Sequence, residues 1–446
     1  MVAARSADQV LSWGRCHRFD QVRVIPGSID EAREAVRGDG PVLPYGLGRS
    51  YGDSCLNDNA VLVDTTRLDH FVSFDTNEGE LVCESGASLV SILDLLSRSC
   101  EGHWFLPVVP GTKFVTVGGA IANDVHGKNH ELQGTFGRHV NWFELARSNG
   151  EVVRCSTDEN VELFRATIGG LGLTGLITRA SLNLMKVPGQ AMGVEDIRIR
   201  NIEHYYDVAE ESRADGWTHH AAWVDVLAGG SAIGRGIYTR SRFTECDAPK
   251  HKKDSGPTFP IDAPAWAVGH PSIKLFNAVY GRKLLGEFRR TECTGYEPIL
   301  FPLDGIRDWN RLYGKSGFYQ YQCVIPADRA RPAIRALLEA IANDGQGSFL
   351  TVLKEFGDVE SPGLLSFPMR GTTLAVDFPN RGERTLKLLD RLDAITSDAG
   401  GRIYPAKDGR ASAAMFRSGY PNLDRFRQSI DPSFSSTFWR RSSVAQ

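Results

Sequence analysis

The sequence predicts an α+β fold of two domains, and three observations support this prediction. The chain has 446 residues, which is enough for two or three domains with substantial cores. From residue 20 to about residue 186, short strand-like runs alternate with amphipathic helical runs. Around Pro188-Gly189 the pattern restarts with a second series of strands and helices. The domain boundary is therefore placed near residue 188.

The elements of the first domain follow from hydrophobic periodicity and turn residues. The predicted helices are "SLVSILDLLSRS", which is amphipathic, and "DENVELFRATIGG", which has an acidic start and terminal glycines. The predicted strands, in chain order, include "PVLPY", "LVDTT", "GELVCESGA", "EVVRCS" after the turn Asn149-Gly150, and "LITRASLNLMKV". Strands and helices are thus mixed along the first domain.

The second domain is predicted to contain another series of strands and helices, which includes "DVAEESRADG", "AAWVDVLAG" and the alternating "FYQYQCVIP". Residues 247–271 include five prolines and the run "KHKKDSG", which predicts a long, mobile connection of the kind that forms lids. The following "SIKLFNAVYGRKLLGEFRR" is predicted to be a basic amphipathic helix. It would lie on a membrane, cover an active site, or simply pack on its own sheet with solvated arginines.

Composition excludes some classes of partner. The formal net charge is −3, so the chain has no general attraction for nucleic acid, and small molecules are the expected partners. The eight cysteines are scattered without a C-x-x-C pair, which predicts free thiols in a reducing cytosol. Neither a signal-peptide core nor a membrane-spanning apolar stretch is evident. A cytoplasmic protein, with membrane association left open, is expected.

The stretch "GLGRSYGD" contains Gly48 to Gly52 in a G-x-S-x-G arrangement, which would make Ser50 a hydrolase nucleophile. That reading requires a helix after the turn, but "SCLNDNAVLVDTT" predicts turns and another strand. A glycine-rich loop between two strands suits a different task, since its unobstructed N–H groups can face an anion such as a phosphate.

Two other motifs are weak on their own. Residues 170–175 match G-x-G-x-x-G, and Glu195 follows at the distance of a ribose-binding acid, but the motif follows a helix and opens a strand, which disfavours NAD(P) binding. His126 and His130 in "HGKNH" have the i, i+4 spacing of zinc ligands, but they lack the glutamate and a third ligand. The nearby Gly118-Gly119 makes a third glycine-rich segment, which favours a domain wrapped around an extended cofactor.

The second half of the chain offers polar side chains for a substrate. Gln320 and Gln322 alternate with tyrosines on a strand, so both point to one face and could hold sugar hydroxyls. Lys354 lies among apolar residues, and Lys407 follows Tyr404 by three positions. A single lysine is most often a surface residue, so these lysines matter only if a site needs them.

Eight segments in the same order resemble the decaprenylphosphoryl-ribose 2-oxidases, flavoproteins of the vanillyl-alcohol-oxidase fold. The resemblance runs from about Trp13 to "DPSFSSTFWRR". It implies an FAD-binding (PCMH-type) α+β domain at 1–188, a substrate domain with an antiparallel sheet flanked by helices at 189–401, and a segment at 402–446 that returns to the FAD domain. The segments are "GLGRSYGD", "PGTKFVTVGGAIANDVHGKNH", "GGLGLTG", "WNRLYG", "GFYQYQCVIP", "FLTVLKEFG", "AVDFP" and "YPAKDGR".

The resemblance also implies the cofactor, FAD, with the loop around Ser50 facing the pyrophosphate. Related aldonolactone oxidases carry a flavin-linked histidine where this chain has Arg49, so FAD should be bound non-covalently. No metal is expected. The implied cofactor-binding residues are Gly46, Leu47, Gly48, Arg49, Ser50, Tyr51, Gly52, Asp53, Gly111, Thr116, Gly118, Gly119, Ala120, Asn123, His126, Gly127, Asn129, Gly175, Ile177 and Tyr404.

In the family reaction a secondary hydroxyl of a furanose ring becomes a ketone as hydride moves to flavin N5, and a partner reductase completes an epimerisation. Lys407 is predicted to handle the proton, supported by Tyr404; Tyr51 faces flavin and substrate, and His126 positions one of them. Substrate binding is assigned to Gln320, Gln322, Arg311 and Lys354, with Lys354 suited to a phosphate.

One departure concerns the substrate. The family carries a cysteine before "VDFP", where this chain has Ala375. The substrate would be a furanose-type sugar, a prenyl-phospho-sugar or a nucleoside-like compound. The alternatives are an alditol or aldonolactone oxidase that uses oxygen directly, or a flavin-binding subunit without catalysis. A short-chain reductase and a membrane surface contacted through residues 247–290 are the further expected partners.

Overall fold

The computed structural model describes residues 4–6, 10–99, 103–247, 256–281, 284 and 288–443. The strands are β1 (Ala4–Ser6), β2 (Gln21–Ile25), β3 (Val42–Tyr45), β4 (Ala60–Asp64), β5 (Phe71–Asp75), β6 (Glu80–Glu84), β7 (Trp104–Phe105), β8 (Val140–Ala146), β9 (Val152–Ser156), β10 (Leu176–Asn183), β11 (Met185–Lys186), β12 (Ala191–Ile199), β13 (His219–Val224), β14 (Gly236–Thr244), β15 (Arg289–Gly295), β16 (Phe318–Pro326), β17 (Thr351–Phe356), β18 (Gly371–Pro379) and β19 (Arg402–Ile403).

The α-helices are α1 (Ile29–Val36), α2 (Leu89–Ser99), α3 (Val117–Ala122), α4 (His130–Gln133), α5 (Val161–Thr167), α6 (Ile202–Ala214), α7 (His270–Tyr280), α8 (Glu297–Leu300), α9 (Ala327–Asp344), α10 (Glu383–Asp398), α11 (Ala413–Gly419), α12 (Leu423–Arg427) and α13 (Thr437–Ser443). Four short 3₁₀ segments also occur in the described part. No helix among the described residues combines the length and apolarity needed to cross a membrane.

The N-terminal half contains two sheets. The first has the order β1-β2-β4-β3, with β2, β3 and β4 parallel. The second has the order β5-β6-β10-β8-β9 and is antiparallel. Helix α2 packs its apolar stripe, which includes Leu89, Ile92, Leu93 and Leu96, into the core beneath the second sheet. The mixed α+β character predicted for this half is confirmed.

The connection from β3 to β4 holds the first glycine-rich loop, and no helix occurs in it, as predicted. Gly48 adopts φ +62°, a left-handed conformation that glycine reaches without strain. The G-x-G-x-x-G segment likewise follows α5 and leads into β10, so it has the reversed context predicted from the sequence. Neither segment has the geometry of the motif it resembles.

The second half forms one eight-stranded antiparallel sheet in the order β15-β12-β14-β13-β17-β18-β16-β19. Helices α6, α9 and α10 supply buried side chains to its core. The predicted antiparallel sheet flanked by helices is therefore present. Because β19 pairs with β16, the sheet extends two residues beyond the proposed boundary at residue 401.

The C-terminal segment returns to the N-terminal half. The Arg441 guanidinium donates to the Asp53 carboxylate at 2.9 Å, and Arg147 pairs with Asp431 at 3.0 Å. Phe434 forms a parallel bridge with Val42 at the end of β3. These contacts fit the inserted arrangement, in which the substrate domain interrupts the FAD domain, while the proposed domain bounds themselves stay predictions.

One expectation for residues 247–290 needs correction, and the other lies largely outside the described residues. The predicted basic helix is shorter than expected, because α7 ends at Tyr280 and β15 begins at Arg289. The run "KHKKDSG" lies almost wholly outside the described residues. In the described part of the connection, the Phe259 N–H donates to the Arg307 carbonyl at 2.8 Å, and the Ala263 N–H donates to the Arg311 carbonyl at 2.9 Å.

The expectation of free thiols throughout is wrong. Cys246, just after β14, forms a disulfide with Cys293 in β15, and both of these strands flank β12. The pairing was invisible in the sequence because 47 residues separate the two cysteines. Disulfides persist mainly in oxidising compartments, so the expected cytoplasmic location loses the support that free thiols would have given it.

Candidate active site

A cavity of about 1200 Å³ lies where the N-terminal half meets the eight-stranded sheet. One wall comes from the glycine-rich loops of the first half, and the other from β13, β16, β17 and β18 together with the turn after β19. Typical small-molecule sites reach about 1000 Å³, so this cavity has room for a dinucleotide-sized cofactor.

The glycine-rich wall fits a bulky, phosphorylated ligand. A side chain added at Gly111 would meet no atom within 4 Å and would extend into open space, so glycine keeps that part of the cavity free. Gly118 and Gly119 also line the cavity, where Thr116 caps α3 by accepting from the Gly119 N–H at 3.2 Å. The Gly118 N–H donates to the Ser85 carbonyl at 2.8 Å, so both of these N–H groups are used within the protein, and the fit of this wall to a ligand rests on its open space.

Most of the predicted cofactor-binding residues line this cavity. They are Gly46, Leu47, Gly48, Arg49, Ser50, Tyr51, Gly111, Thr116, Gly118, Gly119, Asn123, His126, Gly127, Gly175, Ile177 and Tyr404. Gly52, Asp53, Ala120 and Asn129 lie behind the wall. Gly52 packs against the Asp408 backbone and Asp53 pairs with Arg441, so both hold the loop in place.

Arg49 is fixed on the cavity wall by aromatic and backbone contacts. Its guanidinium lies 4.0 Å from the centre of the Trp13 ring, and its Nε donates to the Phe114 carbonyl at 3.1 Å. Burial lowers the pKa of Arg49 from its ordinary value. A guanidinium is a poor nucleophile, so this position offers no covalent link to a cofactor.

Tyr51 and Lys407 meet at the junction of the two walls. The Tyr51 N–H donates to the Ala406 carbonyl at 2.9 Å, which joins the first glycine-rich loop to the turn that carries Lys407. The Lys407 Nζ then lies 3.7 Å from the centre of the Tyr51 ring. Burial lowers the pKa of Lys407 to about 7, although the side chain keeps some accessible surface because it opens into the cavity. A lysine with such a pKa can accept a proton near neutral pH.

Tyr404 supports this turn. Its hydroxyl donates to the Asn123 carbonyl at 2.9 Å, its carbonyl accepts from the Lys407 N–H at 3.0 Å, and its ring stacks on Phe367. Burial raises the pKa of its phenol well above the ordinary value. Tyr404 therefore anchors the Lys407 turn between the two domains.

His126 lies between a lysine and a glutamine. Lys354 Nζ lies 2.8 Å from His126 Nδ1, and Gln322 Nε2 lies 3.1 Å from His126 Nε2. Lys354 also donates to the Gly127 carbonyl at 3.1 Å, which leaves part of its ammonium for the cavity. Burial, with Lys354 as the next largest cause, holds the pKa of His126 well below its ordinary value, so the imidazole is neutral.

Lys354 belongs to a region of positive charge. Burial, with the charges of Lys128 and Lys407, lowers its pKa to about 7. Lys128 also lines the cavity, and burial lowers its pKa to about 8. No carboxylate is among the causes of the Lys354 shift. Two buried lysines side by side favour an anionic ligand.

Gln320 and Gln322 both line the cavity, so the prediction that they share one strand face is confirmed. Gln320 Nε2 donates to the Asp377 carboxylate at 2.6 Å. Sequence reasoning missed both Asp377 and Lys128, although "AVDFP" and "HGKNH" contain them. An aspartate inside an otherwise apolar strand was the available signal.

Other candidates have structural partners. Arg311 does not line the cavity, because it pairs with Asp262 at 3.3 Å and donates to the Phe259 carbonyl. Glu195 pairs with Arg240 on the neighbouring strand. His130 packs on Phe356, and the described residues contain no cluster of groups suited to a metal ion. Ala375 faces the cavity opposite Gln322 in the β16–β18 register.

Comparison with known proteins shows which family this chain is similar to. Residues 21–156 match the model of an FAD binding domain. The chain is 33% identical to decaprenylphosphoryl-beta-D-ribose oxidase of Mycolicibacterium smegmatis over 97% of both proteins. It is also 34% identical to a protein encoded in the mprA 5′ region of Streptomyces coelicolor, over 76% of this chain and 95% of that protein. Cytokinin dehydrogenase 8 of Oryza sativa subsp. indica is 35% identical over 44% of this chain and 36% of its own length.

Proposed function

The chain belongs to the decaprenylphosphoryl-β-D-ribose oxidase family and is an FAD-dependent oxidoreductase, and from this premise we propose that it oxidises a secondary ring hydroxyl of a furanose-type substrate to a ketone. The observation that carries this proposal is the position of the Lys407 amine beside Tyr51, at the junction of the cofactor loop and the substrate sheet. When bound, FAD supplies the acceptor for the hydride that leaves the carbinol carbon, at flavin N5.

Lys407 takes the hydroxyl proton in this reaction. Its neutral amine accepts the proton as the substrate O–H bond breaks, while the carbon loses hydride and becomes the carbonyl carbon. Tyr51 lies beside this amine and Gln320 lines the same cavity, and both orient the ring hydroxyls. The low pKa of Lys407 supports the role, since the neutral amine is populated near pH 7.

The region around Lys354 binds the anionic part of the substrate. A phosphate would receive charge-assisted hydrogen bonds from Lys354 and Lys128, which have no carboxylate as the cause of their pKa shifts. A prenyl-phospho-sugar or a nucleotide-like furanose fits this charge better than a free sugar does. Ala375 in place of the family cysteine enlarges the cavity next to Gln322.

The test is anaerobic mixing of the FAD-loaded protein with furanose substrates that carry or lack a phosphate group. We expect the phosphorylated furanoses to bleach the long-wavelength flavin band and to give the corresponding ketones by mass spectrometry. Bleaching only by linear alditols or by aldonolactones would support the alternative oxidase. A flavin that no sugar reduces would indicate a binding subunit without catalysis.

We further propose that a reductase completes an epimerisation and that oxygen is not the natural acceptor. Turnover should be fast with an artificial acceptor and slow with oxygen. Adding a short-chain reductase and a nicotinamide cofactor should then convert the ketone to the epimeric alcohol. Rapid formation of peroxide would instead identify an oxidase that needs no partner.

The membrane contact expected from residues 247–290 also stays a proposal, and the exposed face of α7 supports it. Leu275 and Val279 on α7 are 65% and 63% exposed, and the nearby Trp266 is 75% exposed. Phe276 and Tyr280, on the same helix, line the cavity. Sedimentation with phospholipid vesicles should be lost in a Leu275→Asp/Val279→Asp variant, and equal sedimentation of both proteins would contradict this contact.

A further inference from the structure

The buried carboxylate of Asp377 has an unusual environment. Asp377 lies on β18 and its side chain is completely buried. Its Oδ1 accepts a hydrogen bond from Gln320 Nε2 at 2.6 Å, whereas its Oδ2 has no hydrogen-bond partner among the described residues. A buried carboxylate with one free oxygen is costly when ionised, so a nearby cation or a bound proton must stabilise it.

The Lys407 amine, which lies 3.7 Å from the centre of the Tyr51 ring in the same group of side chains, is the cation whose charge acts on Asp377. Each group acts on the other, since the Asp377 charge raises the pKa of Lys407 and the Lys407 charge lowers the pKa of Asp377. Burial opposes both effects and has the larger influence, so both pKa values come to about 7. Two interacting groups with matched proton affinities titrate as a pair.

No other described carboxylate takes this part. Asp408 is next to Lys407 in sequence, but its side chain accepts from Arg441 at 2.9 Å and from the N–H groups of Arg410 and Ala411. Among the described residues, the Tyr51 ring and Tyr404 also lie near Lys407, and the Lys407 charge acts on the neutral His126 and on Lys354, whose own pKa is about 7. Asp377 is the carboxylate whose charge raises the pKa of Lys407.

Asp377 also fixes Gln320. Gln320 Nε2 donates one of its two hydrogens to Asp377, which fixes the amide plane. Burial raises the pKa of the Tyr51 phenol and a hydrogen bond with Gln320 acts against this effect, so the amide N–H of Gln320 is the donor to the Tyr51 oxygen. Asp377 on β18 therefore orients Gln320 on β16, and Gln320 in turn contacts Tyr51 in the first glycine-rich loop. The Cα positions of Gln320 and Asp377 are direct partners in the β16–β18 register, which makes this contact a fixed property of the sheet.

We propose that Asp377 is a positioning residue for the proton transfer, acting as the counter-charge that retains the proton on Lys407 and as the acceptor that orients Gln320 and Tyr51. This assignment rests on the proposed function for its catalytic meaning. Once Lys407 has taken the substrate proton, the Asp377 carboxylate stabilises the ammonium that results.

The experiment compares wild type with Asp377→Asn, which keeps an acceptor for Gln320 and nearly the same volume. The pKa of Lys407 is measured without any substrate, by competitive acetylation with acetic anhydride between about pH 5 and pH 10 and mass spectrometry of the Lys407 peptide. Without the carboxylate the labelling midpoint should fall by about one pH unit. Asp377→Glu should restore it, and Asp358→Asn, which removes an exposed carboxylate paired with Arg370, should not change it.

The second readout is the pH dependence of anaerobic flavin reduction by a phosphorylated furanose that bleaches the flavin of the wild-type protein. In Asp377→Asn the rising limb should move to lower pH in step with the labelling midpoint, and the plateau rate should fall because a weaker base accepts the proton. A lower rate with an unchanged pH–rate profile and an unchanged labelling midpoint of Lys407 would show that Asp377 has only a structural role, and this result would overturn the assignment. A shifted midpoint in a protein that oxidises no furanose would refute the proposed function but leave the coupling of Asp377 and Lys407 intact.

Discussion

The cavity contains two lysines whose pKa values are lowered to about 7, Lys354 and Lys407, yet their surroundings differ. Lys407 lies over the Tyr51 ring and has the Asp377 carboxylate as its counter-charge. Lys354 contacts His126 and the Gly127 carbonyl and has Lys128 as a second cation. The comparison teaches that neighbours, and not burial, assign the roles: the first lysine can exchange a proton, and the second can hold an anion.

The largest effect should come from Lys407→Ala. Loss of a positioned base should lower the rate of flavin reduction by about 10²- to 10⁴-fold, while FAD stays bound, because the glycine-rich wall is untouched. Stopped-flow reduction and the visible absorption spectrum measure the two properties. Lys407→Met separates the lost amine from the lost volume, and a Lys407→Ala protein with normal turnover would refute the role of Lys407.

Replacing the other lysine should affect binding instead. Lys354→Met should weaken the binding of a phosphorylated furanose by about ten- to a hundredfold, the value of a charge-assisted hydrogen bond, with a much smaller effect on the limiting rate. The dephosphorylated analogue should bind wild type and variant equally. Lys387→Met is the matched control, since that lysine is exposed and its one ion pair among the described residues is with Glu383 on its own helix. An equal loss for both ligands would contradict an anion site at Lys354.

The two lysines should also respond to pH in opposite directions. Lys407 accepts a proton only when neutral, so the limiting rate should rise as pH increases through about 7. Lys354 attracts a phosphate most strongly when charged, so the affinity should fall as pH increases through about 7. Because kcat/KM depends on both the rate and the affinity, it should follow a bell-shaped pH profile for the phosphorylated substrate. For the dephosphorylated substrate, kcat/KM should only rise with pH. Identical pH profiles for the phosphorylated and the dephosphorylated substrate would show that Lys354 and Lys407 do not have different roles.

The smallest effect is expected at Ala375, which lines the cavity opposite Gln322. Ala375→Cys should change the relative kcat/KM of furanose substrates by only a few-fold, because a small change of cavity volume alters discrimination by about 1 kcal/mol. Reduction rates for pentofuranosyl substrates with different ring substituents measure this effect. Loss of all activity would show that Ala375 touches the reacting atoms, which the present assignment does not include.

A separate property of the first wall can be tested through Arg49. Since Arg49 lies against Trp13 and cannot form the histidine–flavin link, acid precipitation should release all of the FAD into the supernatant. Flavin that stays with the precipitate would show a covalent link at another residue.

Local sequence patterns predicted much of the fold. The apolar stripe of α2, the glycine-rich loop between β3 and β4, and the shared face of Gln320 and Gln322 depend on residues a few positions apart, where the periods of helices and strands apply. The end of α7 at Tyr280 was missed, because the apolar pattern continues past it into "GRKLLGEF". Hydrophobic periodicity alone therefore did not predict where this helix ends.

The sequence by itself determined the family, the FAD cofactor, the glycine-rich segments and the types of residue available for proton transfer, since these follow from motifs that are short and contiguous. Only the tertiary structure decided which of those residues meet. The β16–β18 register brings Asp377 to Gln320, the turn after β19 places Lys407 on Tyr51, and β14 and β15 bring Cys246 to Cys293. The physical reason is that desolvation and charge act over a few ångströms in space, whereas these partners are separated by tens to hundreds of residues along the chain.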